Sequence, residues 1–135
     1  MVIDSQLDQT AFVRRALHEW GAMHQLDEEW LSDVLLAFSE ALNNTIIHSY
    51  HREAGHEVAL EILLEEGEAT FIIRDRGTAM PSGWLSRSID FDPDDLHNLP
   101  EGGMGMALIE SIMDHIEYSS DPGGVNSLVM KKKRP

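Results

Sequence analysis

Ser39-Glu40-Ala41-Leu42-Asn43-Asn44 sets a carboxylate and a carboxamide four residues apart. Asp75-Arg76-Gly77 puts a second carboxylate and a glycine at the end of the strand pattern Phe71-Ile72-Ile73-Arg74. Gly102-Gly103-Met104-Gly105 leads a glycine-rich segment into a helical pattern. Acid, amide, acid, then glycines at a helix start are parts that can hold Mg-ATP and move a phosphoryl group. None of the three stretches is specific alone; their order and spacing carry the signal.

Each part has a chemical use and a plainer alternative. Glu40, Asn44 and His48 recur every four residues, so on a helix they share one stripe. Leu36 and Ile47 flank that stripe away from the core, which suggests that a ligand, a lid or a subunit covers it. A carboxamide oxygen is a hard ligand suited to Mg²⁺, and a glutamate one turn away can polarise an attacking hydroxyl or water. The alternative is an ordinary solvated face. Asp75 can accept from an exocyclic amino group such as adenine's, or it is simply a turn residue in Asp-x-Gly. The glycines allow backbone to approach a phosphate, and the helix start offers free N–H groups. They serve equally as a hinge.

Composition narrows the field. The chain has 135 residues, enough for one domain with its own core, and no cysteine for a disulfide or thiolate metal site. No apolar run reaches transmembrane length and no signal-peptide pattern opens the sequence. These features predict a cytoplasmic protein with no membrane contact. The formal charge is -14, and four of the ten basic residues fall in Lys131 to Arg134. Such a surface repels nucleic-acid phosphates, so direct DNA or RNA binding is not expected, and a partner with basic patches is. The terminal basic run reads as a solvated tail. No lysine precedes Lys131, which removes a P-loop. The seven histidines form no metal cluster: His48 and His51 are three apart with no third ligand evident.

Around these motifs the periodicity predicts the supporting elements. Phe12, Val13, Ala16, Leu17 and Trp20 mark a helix over roughly 8–23, weakened by Gly21. Asp27 caps a second helix running to about Tyr50, with Leu26 and Leu31 as a hydrophobic staple. Val58, Leu60, Ile62 and Leu64 alternate as a strand, Gly67 marks a turn, and residues 70–74 form the next strand. A stretch of about 25 residues, 77–101, carries prolines, glycine and aspartates and reads as a functional loop. Helical spacing returns after Gly105, and strands near 115–120 and 125–131 close the chain around Asp121-Pro122-Gly123-Gly124. The expected fold class is α+β: a two-layer sandwich with helices on one face of a mixed, mainly antiparallel sheet.

Together the motifs resemble the GHKL, or histidine kinase-like, ATPase superfamily, and within it the bacterial anti-sigma-factor serine/threonine kinases. Residues 39–44 followed by Ile47-His48-Ser49-Tyr50 look like that family's N-box, Asp75-Arg76-Gly77 like the adenine box, and residues 99–106 like the glycine box after an ATP lid. The resemblance spans about Ser5 to Met130. It implies one ATP-binding kinase domain over 1–135, with the lid at about 77–101. It assigns Glu40 as the catalytic base and Asn44 as the Mg²⁺ ligand. It gives His48, Asp75, Gly77, Gly102, Gly103, Met104 and Gly105 to nucleotide binding. Asn43-Asn44-Thr45 departs from the commoner Thr-Asn-Ala type, and spacing from Glu40 favours Asn44. The N-terminal strand usual in the family reads as shortened, and the lid has one arginine, Arg87.

The resemblance further implies phosphorylation of a serine on a STAS-type anti-anti-sigma partner, sequestration of a sigma factor, and a homodimer. A different class of function is a non-catalytic ATP-binding partner-switching module. A histidine kinase catalytic domain is a third reading. Label from ATP would appear on the partner in the first case, nowhere in the second, and on the protein's own histidine in the third.

Overall fold

A computed structural model describes residues 1–80 and 104–134 of the chain. Strand β1 (Val2–Asp4) is followed by helices α1 (Gln9–Met23) and α2 (Glu28–Asn44). A π turn, Thr45–Ser49, extends α2. Strands β2 (Glu57–Leu64) and β3 (Glu68–Asp75), helix α3 (Met104–Ile112), and strands β4 (His115–Ser120) and β5 (Asn126–Lys133) complete the chain. The five strands form one sheet in the order β1-β2-β3-β5-β4. Every pairing is antiparallel, so the mainly antiparallel sheet expected is antiparallel throughout among the described residues.

The helices cover one face. Phe71, at the centre of β3, meets Trp20 of α1 and Trp30 and Phe38 of α2 with ring centroids 6.0–6.5 Å apart. Val34, Ala37, Ala41, Leu42 and Ile46 are fully buried in the same layer, at helical spacing. The opposite face carries charge, including the pairs Arg74–Glu61 and Lys131–Glu68. Asp27 caps α2 as expected: its Oδ2 accepts from Trp30 N at 3.0 Å. Gly21 is not merely a weak point of α1. An ideal Cβ there would overlap the Leu31 side chain, so glycine allows α1 to lie close on α2.

Periodicity misses or misplaces three elements, although the resemblance already implies a shortened first strand. The short segment before Ser5 is a true strand: β1 pairs Ile3 with Val58 and Asp4 with Glu57. Three residues are too few to show a period, which is why pattern alone misses it. The second helix ends at Asn44 and widens into the π turn. The basic run is not a tail. Lys131 pairs with Thr70 and with His115 inside β5, and Lys132 Nζ donates to Ile112 O at the end of α3, at 2.8 Å. Arg134 donates from its backbone to Gly67 O at 3.0 Å. Four adjacent cations look solvated in sequence, but strand β5 takes in Lys131, Lys132 and Lys133 and alternates them between two faces.

Candidate functional site

The site grows from where α2 ends. The helix arrives over the C-terminal end of β3, and two contacts tie them together. Thr78 N donates to Ser49 O at 2.8 Å. An ideal Cβ on Gly77 would overlap that same Ser49 carbonyl, so only glycine permits this backbone approach. The chain leaves the π turn through two left-handed residues, His51 (φ 52°) and Arg52 (φ 64°). Arg52 N closes back onto Ile46 O at 3.0 Å. Tyr50 then pins the strands: its hydroxyl accepts from Arg76 N and donates to Glu57 O, each at 2.8 Å. Burial pushes the Tyr50 phenol above its ordinary range.

Asp75, the last residue of β3, is 5 % exposed and faces the helices. Both hydrogen bonds to its carboxylate among the described residues fall on Oδ1: Asn126 Nδ2 donates at 2.8 Å and Gly77 N at 2.9 Å. Asn126 is held in turn, donating to Gly77 O at 3.0 Å and accepting from Ser120 Oγ at 2.6 Å. Burial raises the Asp75 pKa; the bonds from Asn126 and Gly77 and the nearby Ser49 hydroxyl pull it back down. Ser49 Oγ approaches the carboxylate closely enough for that effect but makes no hydrogen bond of good geometry. It is left buried and unpaired among the described residues.

Glu40 and Asn44 lie one helical turn apart on α2, both half-buried. Asn43 is engaged elsewhere, since its carboxamide oxygen accepts from Thr10 Oγ1 of α1 at 2.8 Å. No such partner holds Asn44 among the described residues. In an i→i+5 turn the residue beneath Asn44 is Ser49, not His48. His48 is exposed. Met104 and Gly105 open α3. Gly102, Gly103 and most of the lid segment, 81–101, lie outside the described residues. Asn126 is a residue beside Asp75 that sequence reading missed. An asparagine at a strand start looks like turn chemistry, and only its pairing with Asp75 in the β3–β5 register reveals it.

The donor set suits a nucleotide. A buried acceptor (Asp75) and a hydroxyl without a partner among the described residues (Ser49) sit together, with the Asn44 carboxamide and the Glu40 carboxylate one and two turns along the same helix. Asn44 would hold Mg²⁺ as a neutral hard ligand, leaving phosphates and water to complete the shell.

This arrangement, an antiparallel sheet with helices on one face and an Asp-x-Gly strand end beneath an Asn-bearing helix, defines the class. The chain belongs to the histidine kinase-like ATPase domain family, which matches residues 3–132. It is 34 % identical over 129 residues to an anti-sigma F factor of Oceanobacillus iheyensis, covering 91 % of this chain and 83 % of that one. It is 30 % identical to an anti-sigma F factor of Clostridium beijerinckii, covering 96 % and 89 %. In fold it is similar to the RsbU and RsbW domains of a Mycobacterium tuberculosis protein. There the TM-score is 0.64 and the identity 21 %, with all of this chain matched to a third (33 %) of that longer one. The mycobacterial sensor histidine kinase MprB shares the fold at a TM-score of 0.59 and 16 % identity. No helix among the described residues is long and apolar enough to cross a membrane.

Proposed function

We propose that this protein is an ATP-dependent serine/threonine kinase that acts as an anti-sigma factor. In this reading it phosphorylates a STAS-type anti-anti-sigma partner and sequesters a sigma factor when that partner is unavailable. The observation that carries the nucleotide half is Asp75: a buried carboxylate fixed as an acceptor at the end of β3, facing the end of α2. A site built to receive a donor selects a base with an exocyclic amino group. The anti-sigma half is supported by the similarity to anti-sigma F factors over nearly the whole chain.

Residue roles follow. Asp75 accepts from the adenine amino group, and Gly77 keeps the backbone close beneath the base. Asn44 holds Mg²⁺, whose charge offsets that of the phosphates. Gly102, Gly103, Met104 and Gly105 belong to phosphate binding in this reading, through backbone N–H groups. Glu40 would take the proton from the partner's serine as the serine oxygen attacks the γ-phosphorus and the bond to the β-phosphate oxygen breaks, releasing ADP. The protein works as a cytoplasmic homodimer and binds no nucleic acid directly.

Incubation with labelled ATP, Mg²⁺ and a candidate STAS protein tests the reading. Label on the partner's serine is expected. Nucleotide binding without transfer would instead identify a non-catalytic switching module, and label on a histidine of the protein itself would identify a histidine kinase domain.

A further inference from the structure

The hydroxyl of Ser49 lies close enough to Asp75 to lower its pKa, yet makes no hydrogen bond of good geometry. Ser49 is 2 % exposed and its Oγ has no hydrogen-bond partner among the described residues. Its neighbours on the same helix behave differently. Ser39 Oγ donates to Leu35 O at 2.6 Å and Thr45 Oγ1 to Ala41 O at 3.1 Å. Each satisfies itself on the carbonyl four residues back, the usual escape for a helical hydroxyl. Ser49 does not, although burying an unpaired hydroxyl is unfavourable.

The position of the group explains what it can serve. The π turn brings Ser49 beneath Asn44. Its backbone oxygen holds Thr78 N, and its Cβ lies 3.0 Å from where a Cβ on Gly77 would stand. Gly77 N in turn donates to Asp75 Oδ1. A hydroxyl and a carboxylate therefore flank one glycine in a buried corner.

We propose that Ser49 reads the nucleobase together with Asp75: its hydroxyl donates to ring N1 of adenine while the exocyclic amino group donates to the carboxylate. This deepens the nucleotide assignment above and rests on it. The adenine edge offers a donor beside an acceptor. Asp75 and Ser49 offer an acceptor beside a donor, which is its complement. Guanine presents a carbonyl and an N–H at the same positions. It would set its carbonyl oxygen against the carboxylate, and a site of this kind rejects it strongly.

A chemical double-mutant cycle tests the contact by calorimetry. The wild type and Ser49→Ala are each titrated with Mg-ATP, with Mg-1-deaza-ATP, in which ring N1 is a C–H, and with Mg-GTP. Ser49→Ala is expected to weaken ATP binding about 5- to 20-fold, the loss of one hydrogen bond in a buried site. The wild type is expected to weaken by a similar factor on passing from ATP to 1-deaza-ATP, and the variant to bind these two nucleotides alike. The nucleotide-free variant should melt at the same temperature as the wild type or higher, because an unpaired buried hydroxyl has been removed. Equal ATP affinity in wild type and variant overturns the proposal. So does an equal loss for ATP and 1-deaza-ATP in the variant, which would mean that Ser49 acts only through Asp75. Failure of the wild type to bind ATP is a separate outcome, visible in the first titration, and sinks the nucleotide assignment itself.

Discussion

Asn126 Nδ2 donates to Asp75 Oδ1 at 2.8 Å, and the two residues are direct partners in the β3–β5 register. The ladder itself therefore sets the carboxylate and its donor opposite each other. Ser120 Oγ donates to Asn126 Oδ1 at 2.6 Å, which fixes the amide so that its nitrogen faces the acid. Asn126→Asp would put two buried carboxylates in contact. We expect a loss of about 3 kcal/mol in unfolding free energy at neutral pH, shrinking on acidification as the pair shares a proton. Urea unfolding across pH measures it, and a pH-independent loss would contradict the arrangement.

Asp75 itself separates stability from binding. Its folded-state pKa is raised above the ordinary 3.8, with burial the largest cause. The folded protein then holds this proton more tightly than the unfolded chain. The group's contribution to stability accordingly falls as pH rises from 3.8 through the raised value, and is restored on acidification. Asp75→Asn should melt no lower than the wild type at neutral pH. It should nevertheless lose about 1–3 kcal/mol of ATP binding, because an acceptor for the amino group is gone. Wild-type ATP affinity should decline on acidification earlier than an ordinary carboxylate would dictate. Thermal melts and calorimetry over a pH series check both signs.

Gly77→Ala tests the seam between α2 and β3. The added methyl would overlap the Ser49 carbonyl and disturb the bond from Thr78 N. Overpacking against backbone should destabilise by about 1–3 kcal/mol. Chemical denaturation reads this directly, and a neutral result would show that the two elements are less closely set.

How much of this was legible in sequence depends on the kind of signal. Long periodic segments declared themselves: the α1 and α2 stripes and the alternation of Val58, Leu60, Ile62 and Leu64 match the elements found. The place of Asp75 at a strand end was readable because an apolar run led up to it. The proximity of Asn126 and Ser49 to Asp75 was not, since they stand 51 and 26 positions from it in the chain. The π turn was equally hidden, because a wide turn leaves the apolar pattern through Ile46 unchanged. Lys132 was misread for the opposite reason: local charge density suggested solvent, while the strand register directs its amine to the end of α3.

That last contact is testable by itself. Lys132→Met keeps the aliphatic stem but removes the cation from Ile112 O at the helix C-terminus. A loss of about 0.5–1.5 kcal/mol is expected. Lys133→Met, at an exposed side chain, serves as the neutral control. Equal effects in urea unfolding would return the basic run to a solvated role.

Single-turnover phosphate transfer from Mg-ATP to the partner's serine, with nucleotide binding followed in parallel, bears most directly on the kinase assignment. Glu40→Gln keeps size and hydrogen bonding but removes the base. It should bind Mg-ATP like the wild type and transfer phosphate about 10²–10⁴-fold more slowly. Asn44→Ala should lose Mg²⁺-dependent nucleotide affinity as well as transfer. Transfer by Glu40→Gln at the wild-type rate would contradict the account, leaving the Glu40–Asn44 stripe as an ordinary solvated face of α2.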